Sequence, residues 1–254
     1  MSEDPAIESL IESVPKLPSR PSLYHEITRT MEQPQSSLAD VAALLERDVA
    51  ISARVLHVAN SAYFSRGLPI ESVGAAVPRL GIGVVRGLVL SFETSEGLPE
   101  AIRAYTEGLS EHALQVASMC RSLAETNEDK EVAFTAGLLH DIGELVYLSA
   151  NPPNQWSVAD HHNRVERPGP SSAEVGAYLL TKWNIPPFVS LAVRYQDTPE
   201  RFSVRPNIAS WLRAASRITI TPEPTAKEVL RRFPELETDI PVVEALLSAR
   251  HNSK

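Results

Sequence analysis

Apolar residues recur at three- and four-residue intervals along nearly the whole chain, and no stretch alternates like a strand between glycine-rich turns. That period rules against a sheet core and predicts an all-α protein. Helix starts are marked in the sequence. Ser37-Leu38-Ala39-Asp40 offers an N-cap hydroxyl and an acid three residues on, and Ser171 to Glu174 and Thr225 to Glu228 have the fuller capping-box form. The 20 prolines fall mostly between periodic segments or in first turns, as at Pro21, Pro186 and Pro187, so they punctuate helices.

The pattern predicts helices near 6–13, 22–32, 38–46, 49–60, 71–79 and 82–95, then a break at Gly97-Leu98-Pro99. Further helices follow near 100–107, 110–126, 129–149, 153–165, 173–184, 187–196, 207–219, 226–233 and 240–250. No long polar linker and no internal repeat separates the two sets. The expectation is one domain of two helical lobes sharing an interface, about 8–97 and 98–220, with a helical extension over 221–254.

With 43 % hydrophobic and 22 % charged residues the chain has the composition of a globular protein. Its formal net charge of −8, and the absence of basic runs beyond pairs such as Arg231-Arg232, argue against a grip on nucleic-acid phosphates. The lone cysteine, Cys120, permits no internal disulfide or thiolate cage and reads as a small buried apolar residue. The first residues, Met1-Ser2-Glu3-Asp4-Pro5, are acidic where a signal peptide is basic, and no apolar segment approaches the roughly 20 residues of a membrane helix. A soluble cytoplasmic protein with no membrane insertion is expected.

The segment Gly137-Leu138-Leu139-His140-Asp141-Ile142-Gly143 sets an adjacent His-Asp pair inside an apolar run from Val132 to Leu148. The run predicts one central buried helix, where two ionisable side chains are costly unless paired or metal-bound. His112 shares a three- and four-residue register with Val116, Met119 and Leu123, which aims it inward and makes it the natural third ligand. The alternative is a core histidine hydrogen-bonded to Asp141 or to a backbone carbonyl. Gly143 leaves room for another helix to come close. His161 and His162 sit in a polar stretch and read as solvated, and His25, His57 and His251 lack partners at ligand-like spacing.

Taken together, several ordered blocks make the chain resemble the HDOD family, a bacterial branch related to the His-Asp metal-dependent phosphohydrolases, over roughly residues 8–220. The blocks are Leu17-Pro18-Ser19-Arg20-Pro21, Asp48 to Phe64, Ile70 to Gly81, Gly137 to Leu145, and Glu174 to Leu180 with Trp183 and Pro186. The resemblance implies an all-helical fold with an HD-domain-like core in the C-terminal lobe, and a role as a non-enzymatic signalling or scaffold module. It implies metal-ligating roles for His112, His140 and Asp141. Related enzymes add a histidine where this chain has Ser172, a histidine pair where it has Tyr195-Gln196, and a late aspartate where Ile208 to Ile218 offers only Arg213 and Ser216. They also carry a lysine where this chain has Glu144, and a carboxylate there would repel phosphate.

Three candidate ligands are too few for a bimetal site, so no cofactor is expected, and the set would hold a single divalent metal ion at most. The expected function is non-catalytic regulation through protein–protein contact. The partner would be a signalling protein, either a response regulator or a cyclic-dinucleotide pathway component. The chain has no recognisable receiver domain or cyclase motif of its own and would join such proteins in trans. The alternatives are a metal-dependent phosphohydrolase acting on a nucleotide or cyclic dinucleotide, and a ligand sensor that uses the old pocket without chemistry.

Contact candidates lie mostly in the first lobe. Tyr63 and Phe64 either pack beneath the following loop or give an aromatic edge to a partner. Arg79, Arg86 and Arg103 would line a groove between the lobes that takes an anionic ligand, unless they are simply solvated. Of the tryptophans, Trp183 is expected in the core and Trp156 at the surface.

Overall fold

The computed structural model describes residues 5–14, 21–65, 67–95, 100–150, 169–202, 206–221 and 224–251. Regular structure among them is helical, with no strand. The first half runs Pro5–Glu12 (α1), Ser22–Met31 (α2), Leu38–Leu45 (α3), Val49–Ala59 (α4), Val73–Leu80 (α5), Ile82–Ser95 (α6) and Glu100–Leu123 (α7). The second runs Asn127–Leu139 (α8), Ile142–Ala150 (α9), Ser172–Lys182 (α10), Pro187–Arg194 (α11), Pro206–Thr219 (α12), Ala226–Arg232 (α13) and Ile240–His251 (α14). Short 3-10 turns cover Pro199–Arg201 and Pro234–Asp239. The all-α expectation holds. The helix expected over 153–165 lies outside the described residues, as do Trp156, His161 and His162.

The smaller of two compact units is Ser19–Glu96. Its helices begin where side chains can accept the orphan N–H groups of a first turn. The Ser37 backbone N–H donates to Asp40 Oδ2 at 2.8 Å, and Asp48 accepts from Ala50 and Ile51 at 2.8 and 3.0 Å. At α2 the N-cap is Pro21, which offers no side-chain acceptor. The buried carboxylate of Glu93, from α6, does that work instead, accepting from the backbone N–H groups of Leu23 and Tyr24 at 2.8 Å each and from the Ser22 hydroxyl at 3.2 Å. Ile27, Leu45, Val55, Val77, Leu88 and Leu90 fill the interior. Between α5 and α6 the chain turns at Gly81, whose φ of 82° suits glycine, and the two helices are bent by 112°. That pair passes the length and apolarity of a membrane span only jointly, and no single described helix does so.

The larger unit comprises Met1–Pro18 and Gly97–Asn252. Helix α1, placed by sequence with the first lobe, belongs here: Ile7 is buried, and the Tyr178 hydroxyl donates to Glu8 at 2.7 Å. Helices α7 and α8 form a hairpin in which Gly137 meets the backbone of Ala117 so closely that a Cβ at 137 would lie 2.4 Å from its Cα. Helix α7 is continuous through Gly108, where two helices were expected. Cys120 lies on it fully buried, which pushes its thiol well above the usual range.

Residues 221–251 are not an appendage. Arg213 of α12 holds the buried Asp239 at 2.5 Å, Arg217 reaches Glu235 at 3.5 Å and lies over the Phe233 ring, and Leu236, Val243 and Leu246 are buried.

Candidate metal centre

The apolar run from Val132 to Leu148 is not one helix. It breaks at the His-Asp pair: α8 ends at Leu139, His140 and Asp141 form the turn, and α9 starts at Ile142. Two contacts secure the break. The Gln196 side-chain amide donates to the His140 carbonyl at 2.8 Å, and Gly143 lets α10 approach until a Cβ at 143 would lie 1.9 Å from the Ser172 carbonyl oxygen. The close approach expected at Gly143 is therefore present, and the break lets adjacent residues aim at one point as a straight helix would not.

His112 arrives from α7, buried beside Ala113, Val116 and Met119. His112 Nε2 lies 3.2 Å from His140 Nε2, while Asp141 Oδ2 lies 3.0 Å from His140 Nε2 and 3.6 Å from His112 Nε2. His140 is 1 % exposed and His112 is 6 % exposed, so the cluster is dry except at the Asp141 side.

The opposite edges of the two rings determine what faces inward. His140 Nδ1 is 2.8 Å from the Gly137 carbonyl, which can only accept, so Nδ1 carries the proton. His112 Nδ1 is 3.0 Å from Thr219 Oγ1, which also lies 2.9 Å from the Ser216 carbonyl; with the hydroxyl proton on that carbonyl, this Nδ1 donates as well. In that tautomer both Nε2 atoms of the neutral rings turn a lone pair toward each other and toward a carboxylate oxygen, whereas in the other tautomer His112 Nε2 donates to His140 Nε2 across 3.2 Å. The first of these arrangements is stabilised by a cation.

The spacing fits one. Donors on a tetrahedral ion about 2.0–2.1 Å away stand about 3.3 Å apart. The three atoms here all lie within 4.8 Å of one another, two imidazoles and one carboxylate, a set suited to a borderline divalent metal. The alternatives drawn from sequence concerned His112, whose Nε2 lies 3.6 Å from Asp141 Oδ2 and whose Nδ1 meets the Thr219 hydroxyl at 3.0 Å.

The positions where related enzymes bring further ligands are committed elsewhere. Ser172 opens α10 against Gly143, the Tyr195 ring stacks on Phe202 at 6.0 Å, and Gln196 holds the His140 carbonyl. Glu144 is buried at 4 % exposure. Arg213 is paired with Asp239, and Ser216 contributes its carbonyl to Thr219. Thr219 carries no sequence signal, since a threonine in the last turn of a helix is ordinary until α7 brings His112 against it.

Tyr63, Phe64, Arg79 and Arg86 belong to the smaller unit. Phe64 is buried in the smaller unit, so its ring is core and not a partner edge, while Tyr63 is half-buried. Arg79 donates to the Leu68 carbonyl at 3.3 and 3.4 Å, and Arg86 lies against Tyr24. The Arg103 side chain lies outside the described residues. Trp183 is buried as expected.

Relatives agree with this architecture. An uncharacterized protein of Treponema pallidum (strain Nichols) is 28 % identical over 202 residues, covering 75 % of this chain but only 39 % of that protein. The chain therefore spans well under half the length of this relative. A Shewanella amazonensis SB2B protein provisionally named a phosphohydrolase superposes with a TM-score of 0.67 at 23 % identity, over 99 % of this chain and 96 % of its own. A provisionally named signal transduction protein of Marinobacter aquaeolei VT8 superposes with a TM-score of 0.59 at 20 % identity, over 98 % of this chain and 62 % of its own. These likenesses establish the fold. The model of the HDOD domain matches residues 17–199, well over half of the sequence and inclusive of His112, the His140-Asp141 break and Gln196, and the chain belongs to the HDOD family.

Proposed function

We propose that this chain is a non-catalytic signal-transduction module that acts by binding other proteins in a bacterial regulatory pathway. The reading is carried by the short ligand set: His112, His140 and Asp141 converge, and Ser172, Tyr195 and Gln196 stand where hydrolases of this kind bring more donors. Phosphoryl transfer also needs cationic help on the substrate side, and the residue following the His-Asp-Ile-Gly run is the carboxylate Glu144. The Marinobacter protein, named for signal transduction, supports a signalling role. A response regulator or a component of a cyclic-dinucleotide pathway, met in the cytoplasm, is the partner class proposed.

The second reading is a metal-dependent phosphohydrolase on a nucleotide or cyclic dinucleotide. It is favoured by the paired Nδ1 hydrogen bonds, which hold both histidines ready to coordinate. A bound divalent ion would supply Lewis acidity and a more acidic water. Within the chain, Thr219 and the Gly137 carbonyl orient the rings, and Asp141 offsets part of the charge.

Metal content and turnover separate the two. The protein purified without chelator, and its His140→Ala variant, are analysed for bound metal and assayed on cyclic dinucleotides with added Zn²⁺ or Mn²⁺. The expected result is at most one ion per chain, lost in the variant, with equal background turnover in both. At a hundredfold its dissociation constant, Zn²⁺ should also add about 2.7 kcal/mol to wild-type stability and nothing to the variant. Metal-dependent hydrolysis abolished by His140→Ala would replace the first reading by the second.

A further inference from the structure

The break between α8 and α9 has no local cause. No proline stands in it or beside it, none of its residues has a positive φ, and His140 keeps helical dihedrals of −60° and −28°. In an unbroken helix the His140 carbonyl would accept from the N–H of Glu144, four residues on. Here the Glu144 N–H donates to the Asp141 carbonyl at 2.9 Å, and the Gln196 side-chain amide donates to the His140 carbonyl at 2.8 Å. Gln196 follows the end of α11 and is buried.

The other contact at the break cannot replace it. Ser172 brings a carbonyl oxygen against Gly143, and an acceptor does nothing for the His140 oxygen. Without the Gln196 donor, the His140 carbonyl is either left buried and unpaired or recovered by the Glu144 N–H. The second outcome costs less, and it straightens the chain. Adjacent side chains on a straight helix point about 100° apart, so Asp141 Oδ2 would leave its place 3.0 Å from His140 Nε2.

We propose that Gln196 is a positioning residue for ion binding. By drawing the His140 carbonyl out of the helical ladder, it holds the turn in which His140 and Asp141 share one point with His112. It acts through His140 and is not itself a ligand. The inference rests on the reading of that cluster as a site for a single divalent ion.

The test uses the full chain with Gln196→Met, of equal length but without a donor, and Gln196→Asn, whose amide is one methylene too short to reach. Each protein is titrated with Co²⁺, read by calorimetry and by its visible ligand-field band, and the Cα chemical shifts of residues 140–143 are recorded without metal. The expected result is Co²⁺ affinity lowered about tenfold or more in both variants, with an altered band. The shifts of Asp141 and Ile142 should move toward those of a continuous helix. A residue that only added stability would lower the melting temperature and leave affinity, band and shifts unchanged, and that result overturns the proposal. If the wild type takes up no Co²⁺, the single-ion reading fails and the shifts decide alone: moved, Gln196 holds the turn; unmoved, it does not. Should Gln196→Met lose its helical circular dichroism, Gln196→Asn decides on the same readings.

Discussion

Glu93 in the smaller unit and Asp141 in the larger are carboxylates of low exposure, and the chain surrounds them in opposite ways. Glu93 meets three donors, two backbone N–H groups and a hydroxyl, and is satisfied from within. Asp141 Oδ2 faces two imidazole nitrogens, at 3.0 Å from His140 Nε2 and 3.6 Å from His112 Nε2, and the Gly137 carbonyl on the far edge of His140 leaves its Nε2 as an acceptor. The first arrangement is a helix cap delivered from a distant element. The second gathers three potential ligand atoms, two imidazole nitrogens and a carboxylate oxygen, within 4.8 Å of one another. Burial of an acid therefore does not by itself mark a functional site; what marks one is the polarity of the groups turned toward it.

The comparison is broken most easily at Glu93. Glu93→Ala leaves the Leu23 and Tyr24 N–H groups without an acceptor at a buried helix start, and should cost about 3 kcal/mol. Glu93→Gln, which keeps one acceptor oxygen, should cost less. Urea denaturation with an unchanged m-value is the measurement. A loss under about 1 kcal/mol for the alanine variant would mean that water takes over the cap, and the contrast with Asp141 would fail.

A smaller effect, confined to the larger unit, is expected at Thr219. Its hydroxyl fixes the His112 tautomer without touching the shared point. Thr219→Val should weaken Zn²⁺ binding about tenfold, the usual scale for losing a partner that orients a ligand, and Thr219→Ser should restore it. Equal affinity in all three proteins would show that the tautomer is not set there.

What the sequence made legible was local. Ser37, Asp40, Ser171 and Glu174 announce helix starts within four residues, and both boxes form. The register of His112 with Val116 and Met119 aims it inward from a single helix. What stayed hidden depends on residues far apart in the chain. The break at His140 has apolar helix on both sides, and the contact that holds it comes from Gln196, 56 positions on. Gln196 stands out in the sequence only as a departure from the related enzymes, and its task exists only once α11 is packed. Glu93 caps a helix about 70 residues earlier, a pairing with no local signal. Thr225 shows the limit even of local motifs: it caps Glu228 N–H at 3.2 Å, but the Glu228 side chain turns to Arg231 and the box stays half-formed.

The smallest effect belongs to Asp40, which repeats the Glu93 interaction at the surface. Hydrogen bonds from the Ser37 hydroxyl and backbone N–H hold its carboxyl below the usual carboxylate range. The sign follows from that depression. A group more acidic in the folded chain than in the unfolded one contributes stability that is fully present above its unfolded pKa of about 3.9, and loses it as pH falls through the lower folded value. Wild type should therefore exceed Asp40→Asn, which mimics the neutral acid, by a constant margin from pH 7 to about 5, and the margin should shrink below about pH 4. Thermal melts across that range measure it. A margin that persists or widens in acid would show that the asparagine fails for a reason other than charge, and that an exposed carboxylate at a helix start does not act as Glu93 does in the interior.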